Sequence, residues 1–527
     1  MTRSFSTRLR MTPSRRRAFR PRTEGLESRQ LLNGGGLDLS FGTNGAVLAG
    51  DHAAKAVQIQ ADGKVVAAGV TVVSGANNDF SLVRLTPSGV LDSTFGSGGK
   101  VLTDFVGKAD RVEDMALQSD GRIVVAGLVT NTETRPGKGN RATYYDNVDF
   151  GVARYLPSGA LDTSFGNGGK VTTNISGVTT SDSYNKRDEA YSLAIQTDGK
   201  FLVAGKTQTG TDPRARSAAI VRYNANGTLD TSFGQAGKVV TVLSTGEGSV
   251  IQDVAVQADG KIVAVGYTQA ADASYYWKIL VVRYNTDGSL DAGFGTNGIV
   301  TTSAGPTDSI YAYGMALLSD GSIVVAGSYE QPISTGGTLK DLALARFTNS
   351  GSLDPTFGVG GVVRFDAGSA TEFGNALAIQ PVDGKLVVVG SYVRSVSENY
   401  YVSLAVRFQP NGAVDPGFGT AGVAVNSFTN SENYLFDVAV QSDGKLVGVG
   451  TAATRVSSNS LKYDYLITRY LGDTSTPAPT AFRLVSSPGS EVAIPTTWVD
   501  PSLALPTTEL IRPGTKRSRP SQFVSVK

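Results

Sequence analysis

Between Leu37 and Tyr470 the apolar and polar positions follow one pattern seven times. Each copy opens with an alternating apolar run, as in Ala56 to Gln60 or Asp253 to Gln257, followed by an Asp-Gly pair (Asp62-Gly63, Asp120-Gly121, Asp198-Gly199, Asp259-Gly260, Asp320-Gly321, Asp383-Gly384, Asp443-Gly444). Asp-Gly between apolar runs predicts an antiparallel hairpin, here with positive φ at both central residues of a type I′ turn. The second run, as in Ile123 to Ala126 or Leu386 to Val389, is apolar at consecutive positions and ends at Gly in every copy, which predicts a strand buried on both faces. A third strand precedes Arg84, Arg154, Arg222, Arg283, Arg346, Arg407 and Arg469, and a fourth follows a Phe-Gly segment, as in Lys100 to Thr103. The four strands are named a to d.

Strand a carries large residues on one face (Val57 and Ile59, Met115 and Leu117) and Ala on the other (Ala116, Ala194, Ala255), as sheets stacked face to face require. The Phe-Gly pairs begin at Phe41, Phe95, Phe165, Phe233, Phe294, Phe357 and Phe418, a spacing of 54 to 70 residues that fits a sheet module and exceeds a two-helix repeat. These features predict an all-β, seven-bladed propeller with four antiparallel strands per blade. The repeats begin with an isolated strand d (Ala46 to Ala49) and end with an isolated strand c (Leu466 to Tyr470), so pairing of these two would close the ring with the N-terminal strand and leave no open edge. The expected organisation is an Arg-rich segment over 1–36, the propeller over 37–470 and a Pro/Ser/Thr-rich tail over 471–527.

Charge changes this picture little in the body and more at the ends. Residues 1–30 hold nine Arg against Glu24 and Glu27, whereas residues 31–470 carry a net charge of −7. An acidic body lacks the basic footprint of a nucleic-acid binder. Cysteine is absent and His52 is the only histidine, which removes disulfides, thiolate metal sites and multi-His zinc sites. No stretch has the ~18 apolar residues a spanning helix needs. Residues 1–30 also lack the apolar core of an ordinary signal peptide.

The units, with Gln-x-Asp-Gly-Lys-Ile/Leu-Val and Leu-Asp-x-Ser-Phe-Gly-x-x-Gly, resemble the delta-60 repeat of bacteria, a β-propeller family of unknown function, over about 430 residues. The resemblance implies a seven-bladed propeller and implies neither catalytic residues nor a cofactor. Leu26-Glu27-Ser28-Arg29-Gln30-Leu31-Leu32 resembles the LEPR-XLL segment of large bacterial surface and exported proteins, with Ser28 where that motif has Pro. It implies an extracellular or cell-surface location.

Phe-Gly-x-x-Gly is no phosphate loop, because a strand follows it and not a helix N-terminus. The expected role is structural, with the preceding Asp (Asp162, Asp230) closing an Asx-turn and Phe filling a gap between blades. The seven Arg are expected to pair with these Asp, as Arg84 with Asp92, rather than to bind anions. Asp-Gly turns supply too few oxygens for calcium, so no metal site is expected. Asp114, Asp253 and Asp437 share one strand-a position in blades 2, 4 and 7 and are expected as carboxylates at the channel mouth. The b-to-c and d-to-a segments vary in length and emerge on one face, whose aromatic residues Tyr144, Tyr145, Tyr184, Tyr275, Tyr276, Trp277, Tyr311, Tyr313, Tyr400 and Tyr401 are candidate contacts for a protein or glycan. The favoured function is a non-catalytic binding scaffold without catalytic residues or cofactor. A carboxylate-dependent glycosidase or lyase and a purely structural spacer are the alternatives.

Overall fold

The structure is a computed structural model that describes residues 34–473 apart from 75–76, 137–141, 178–185, 210–214, 244–247, 270–275, 304, 306–307, 333–337, 369–370, 396–399, 430–431 and 458–459. The described residues form 27 strands and no helix. They build seven blades with strands in the order a-b-c-d, all antiparallel. Strand Ala46–Ile59 serves two blades. Its first part pairs with Ser460–Tyr470 (Ala46 opposite Thr468, Leu48 opposite Leu466) as strand d of blade 7, and Ala53 to Ile59 pair with Val65–Ser74 as strand a of blade 1. The N-terminal strand thus closes the ring.

Core clusters lie between successive blades rather than inside one. Val57 packs with Val447, Val449 and Ile467 of blade 7, while Ala56 on the opposite face packs with Met115 and Val125 of blade 2. Large residues on one face meet Ala on the next, as the alternation in strand a predicts.

The Asp-Gly hairpins differ from the expected type I′ turn. Only the glycines take positive φ (Gly63 79°, Gly121 83°, Gly384 69°), and Gln60 N–H reaches Lys64 O at 2.8 Å while Gly63 N–H reaches Gln60 O at 2.9 Å. In blade 1 three residues therefore form the loop, a type I turn closed by a left-handed Gly, and Asp62 helps by accepting from Lys64 N–H at 3.2 Å; the blade 6 loop has one residue more, Gln380 N–H reaching Lys385 O. The long b-to-c segment of blade 2 is likewise strand rather than loop: Ile123–Pro136 and Ala142–Tyr155 pair out to Pro136 opposite Ala142.

Every inner strand a has a one-residue bulge, at Lys55, Glu113, Tyr191, Gln252, Tyr313, Asn375 and Phe436. Each bulge lies opposite the Gly that closes the apolar run of strand b, and the strand itself continues past that Gly. A Cβ on Gly127 would sit 2.0 Å from Arg111 O, and on Gly390 1.7 Å from Phe373 O. Gly recurs there because the bulged backbone occupies the space a side chain would need.

At the opposite end of the strands the a-to-b and c-to-d turns form a near-regular face. Arg Nε lies 2.7–2.9 Å from the Asp carboxylate in all seven units, from Arg84–Asp92 to Arg469–Asp38. Each guanidinium also stacks 4.4–5.0 Å over the Phe of its unit, and all seven Phe are fully buried. Six of the seven Arg reach a carbonyl in the next blade's turn, as Arg84 to Pro157 O at 2.6 Å and Arg469 to Pro87 O at 2.6 Å. Blade 7 offers Arg407 no such turn, and both flanks of the body replace it. Asp473 accepts from Arg407 at 2.9 Å, Gly419 N–H donates to Gly34 O at 2.7 Å, and Gly35 (φ 88°) lies against Phe418 as Gly89 lies against Phe41. The ring therefore extends to Gly34 and Asp473, beyond the sequence limits of 37 and 470.

Candidate ligand site at the channel mouth

The seven inner strands stand side by side around the ring axis, from Ala46–Ile59 through Asp110–Leu117, Asp188–Ile195, Ser249–Val256, Ser309–Leu317 and Glu372–Ile379 to Asn433–Val440. A bulge re-aims one side chain of its strand, and here it turns one residue per blade toward the channel. One adjacent pair touches: Lys55 Nζ lies 4.1 Å from the Phe436 ring centre. Two residues earlier, a second position per strand joins the first, pairing Arg111 with Glu113 and Glu189 with Tyr191.

The mouth is charged on one side and aromatic on the other. In blade 2 the Glu113 carboxylate is 1% exposed with the Arg111 guanidinium in ion-pair contact. In blade 3, Glu189 accepts from Tyr191 Oη and pairs with Arg187 at 2.7 Å and Lys206 at 2.9 Å. Burial opposes its ionisation, but Lys206, Tyr191 and Arg187 outweigh that and hold the carboxyl down at about 2. Burial, then the charge of Glu189, pushes the Tyr191 phenol well up. Across blades 4 and 5, Tyr267 meets Trp277 and Tyr311 edge-on at 5.2 and 5.1 Å, and Tyr311 stacks on Tyr313 at 6.0 Å. In blades 6 and 7, Tyr401 stacks on Tyr434 at 5.0 Å beside Phe436. Such geometries add to burial and leave ring faces for a ligand.

Of the aromatic candidates, Trp277, Tyr311 and Tyr313 meet in one cluster, with Tyr276 half-buried beside Trp277. Tyr311 and Tyr313 belong to an inner strand rather than a loop. Tyr400 bonds Ser427 Oγ at 2.8 Å, away from that cluster, and Tyr401 is 1% exposed within the second aromatic group. Tyr144 and Tyr145 lie in Ala142–Tyr155, with their side chains outside the described residues. Tyr184 and Tyr275 lie outside the described residues.

The carboxylates expected at the channel mouth are elsewhere. Asp114, Asp253 and Asp437 are 0–1% exposed and lie between inner strands. Asp437 accepts from Val438 N–H at 2.7 Å and from Val57 N–H of blade 1 at 2.7 Å; Asp114 likewise bonds Met115 and Leu193 of blade 3, at 2.6 Å each. Asp253 bonds Met315 N–H of blade 5 at 2.8 Å and Ser192 Oγ at 2.9 Å, and burial, then the charge of Asp114, pushes its carboxyl well up. The position one past the bulge faces the next blade, so these groups clamp neighbouring strands. His52 lies at the crossover from blade 7 to blade 1, half-buried at φ 121°, with its ring 5.5 Å from Tyr463.

The residues not foreseen are Arg111, Glu113, Arg187, Glu189, Tyr191 and Lys206. For Arg111, Glu113, Glu189 and Tyr191 the signal is present in strand a, where two positions spaced by two vary from unit to unit just before a small residue or Asp (Ala56, Asp114, Ser192, Asp253, Gly314, Ala376, Asp437); Arg187 and Lys206 lie outside those positions. Among the described residues one group of three carboxylates, Asp341, Asp366 and Glu372, could gather round a cation, but Arg364 is paired with Asp341. No described helix is long and apolar enough to cross a membrane.

Solved structures with similar folds include the polysaccharide lyase Uly1 (TM-score 0.45, 13% identity, 85% of this chain and 94% of that one). They also include a PL25 ulvan lyase bound to -[GlcA(1-4)Rha3S]- (0.40, 12%, 70% and 82%) and a xylan β-1,4-xylosidase from Bacillus halodurans C-125 (0.28, 13%, 82% and 84%). Likeness of this degree says nothing about activity. None of the curated proteins matches the chain. The family model for the domain of unknown function (DUF5122) beta-propeller matches residues 60–95, 118–137, 139–165, 196–233, 257–294, 318–357 and 383–418. Each match falls on part of a blade or its turns, and the repeat body of this chain belongs to the DUF5122 β-propeller family.

Proposed function

We propose that the chain is a non-catalytic binding protein that holds a glycan over the channel mouth. The carrying observation is the Tyr267, Trp277, Tyr311 and Tyr313 cluster beside the ionic groups of blades 2 and 3. Half-buried rings offer flat apolar faces to a sugar, and neighbouring charged groups hydrogen-bond its hydroxyls. Burial keeps the phenols of Tyr191, Tyr267 and Tyr311 protonated, so they suit hydrogen bonding better than proton abstraction. Gly34 and Asp473 lie together on the turn face, at the far end of the strands from this mouth. In a surface-attached or secreted protein, as the N-terminal segment suggests, the mouth would face away from whichever flank is tethered.

The test is a glycan array and titration calorimetry on the full chain. A glycan should bind, and Trp277→Ala with Tyr311→Ala should weaken it by about tenfold or more without loss of the folded state by circular dichroism. An intact protein that binds no glycan, or turnover of a bound one into product, would remove this reading.

A further inference from the structure

Among the described residues, blade 3 carries an arrangement that the other blades do not show. Glu189 pairs with Lys206 across strands a and b, Gln208 pairs with Arg216 across strands b and c, and Gln208 N–H donates to Arg187 O at 3.1 Å. Residues opposite one another in a sheet share a face, so Arg187, Glu189, Lys206, Gln208 and Arg216 all lie on one side of this blade. One step deeper, that side carries Ala204 and Ala218, which pack against Ile251 and Val254 of blade 4. The five polar residues therefore rim the cleft between blades 3 and 4 at its channel-mouth end.

The rim has more donors than the protein uses. Three cations, Lys206, Arg187 and Arg216, share the rim with one carboxylate, in a body whose net charge is −7. Lys206, in contact at 2.9 Å, suffices to neutralise Glu189. Arg187 also reaches Glu189 but keeps 56% of its side chain exposed, and Arg216 is exposed with no ion-pair partner among the described residues. Gln208 is 4% exposed and its side-chain nitrogen has no acceptor among the described residues. The crowding is electrostatically felt: burial lowers the Lys206 ammonium, Glu189 raises it, and Arg216 and Arg187 lower it further. Excess cations and an amide donor without acceptor are what a bound anion would relieve.

We infer that this cleft is a subsite for an anionic sugar group, a carboxylate or a sulfate, held by Arg187, Lys206, Gln208 and Arg216. This rests on the glycan reading above and narrows it to acidic polysaccharides. The aromatic cluster begins on the adjoining blade, where the charges of Arg216 and Glu189 reach the Tyr267 hydroxyl. A chain whose acidic unit occupies the cleft would lay its next ring on Tyr267 and Trp277. The forked guanidinium groups match planar carboxylate and sulfate oxygens, which the single ammonium alone does not.

The probes are polygalacturonate against its methyl-esterified form and dextran sulfate against dextran, titrated into the full chain and into R187Q/R216Q. Both arginines are solvent-exposed, so the variant should fold. The nine arginines of residues 1–30 attract polyanions in both proteins, and the difference between the two reads the cleft alone. Expected is a loss of about tenfold or more in R187Q/R216Q for one charged polymer, a shallower salt dependence, and weak binding of its uncharged form. The polymer affected distinguishes carboxylate from sulfate. Equal binding of each charged polymer by the two proteins would overturn the subsite. Binding of neutral glycans alone, sensitive to Trp277→Ala, would overturn the subsite and leave the glycan reading standing. No glycan binding at all would remove both.

Discussion

The turn face and the channel mouth are built by the same seven sheets and obey opposite rules. At the turn face every unit repeats Arg on Asp within 2.7–2.9 Å and Arg over Phe within 4.4–5.0 Å. At the mouth the bulges repeat just as faithfully in the backbone, yet their side chains run Lys55, Glu113, Tyr191, Gln252, Tyr313, Asn375 and Phe436. A Phe wedged between blades fills a fixed volume, and an Arg that bonds the next blade must have the same partners each time. The bulge side chains also pack and bond, but their partners differ from blade to blade, as Asn375 donating to Leu435 O and Lys55 lying over Phe436. Repetition in this chain marks the frame, and variation within a repeated backbone marks the surface free to recognise something.

The largest expected contrast is in pH dependence. On the turn face Asp92 is held down to about 2, with the Thr94 hydroxyl as the leading cause, against ~3.9 in an unfolded chain. That contribution is present above pH 4 and is lost as pH falls toward 2. At the mouth end Asp110, 1% exposed at the start of the blade 2 inner strand, is pushed up to about 7 by burial. Its sign is reversed: the contribution is full below pH 4 and is lost as pH rises to 7. Linkage allows about 1.4 kcal/mol per pH unit, or up to ~4 kcal/mol over that window. Asp110→Asn should therefore flatten the decline in urea-unfolding free energy between pH 4 and 7 and leave the acid limb untouched. Parallel curves for the two proteins across that window would show that Asp110 ionises in the folded ring.

Next in size is the frame itself. Arg84→Ala leaves Asp92 to Lys64 at 3.5 Å, leaves Pro157 O without its donor and uncovers Phe95, which should cost about 3 kcal/mol. Asp473→Ala touches the one seam where flanking segments replace a turn. Asp473 keeps 31% of its side chain exposed, and ion pairs so placed contribute about 1 kcal/mol or less. Chemical denaturation of both variants ranks them. An Asp473→Ala loss as large as that of Arg84→Ala would make the seam, and not the repeated triad, the element that limits the ring.

The frame was legible because its signals are short-range and recur. Asp, Phe and Arg at fixed spacing gave the Asx-turns, the buried wedge and the local ion pair, and the split between Ala46 and Tyr470 gave the closure. The turn type was not legible because Asp-Gly fits two hairpin classes, and only the residue count between the strands, set by pairing at Gln60 and Lys64, separates them. The candidate site was half legible. Trp277, Tyr311 and Tyr313 stood out by residue type, whereas Asp114, Asp253 and Asp437 were sent to the mouth because a bulge one residue earlier shifts which side chain faces the channel. Nothing local in Val112-Glu113-Asp114 announces that bulge. The Gly that closes the apolar run of strand b does, but only once Gly127 is known to lie against Arg111 O.

The smallest effect tests whether the bulge ring is interchangeable. Lys55 over Phe436 at 4.1 Å is a cation on a ring, the same contact the turn face makes seven times, but it occurs between neighbouring bulges and Lys55 is half-buried. Lys55→Met keeps the length and apolar stem of the side chain and removes the charge, so the loss should be about 0.5 kcal/mol, the value of a cation–π contact open to solvent. A double-mutant cycle with Phe436→Leu isolates that term from packing. A coupling near 2 kcal/mol would place Lys55 and Phe436 in the frame with Arg84 and Phe95. The channel mouth would then be a second invariant face whose sevenfold variation is structural, and the case for seeking a ligand there would weaken with it.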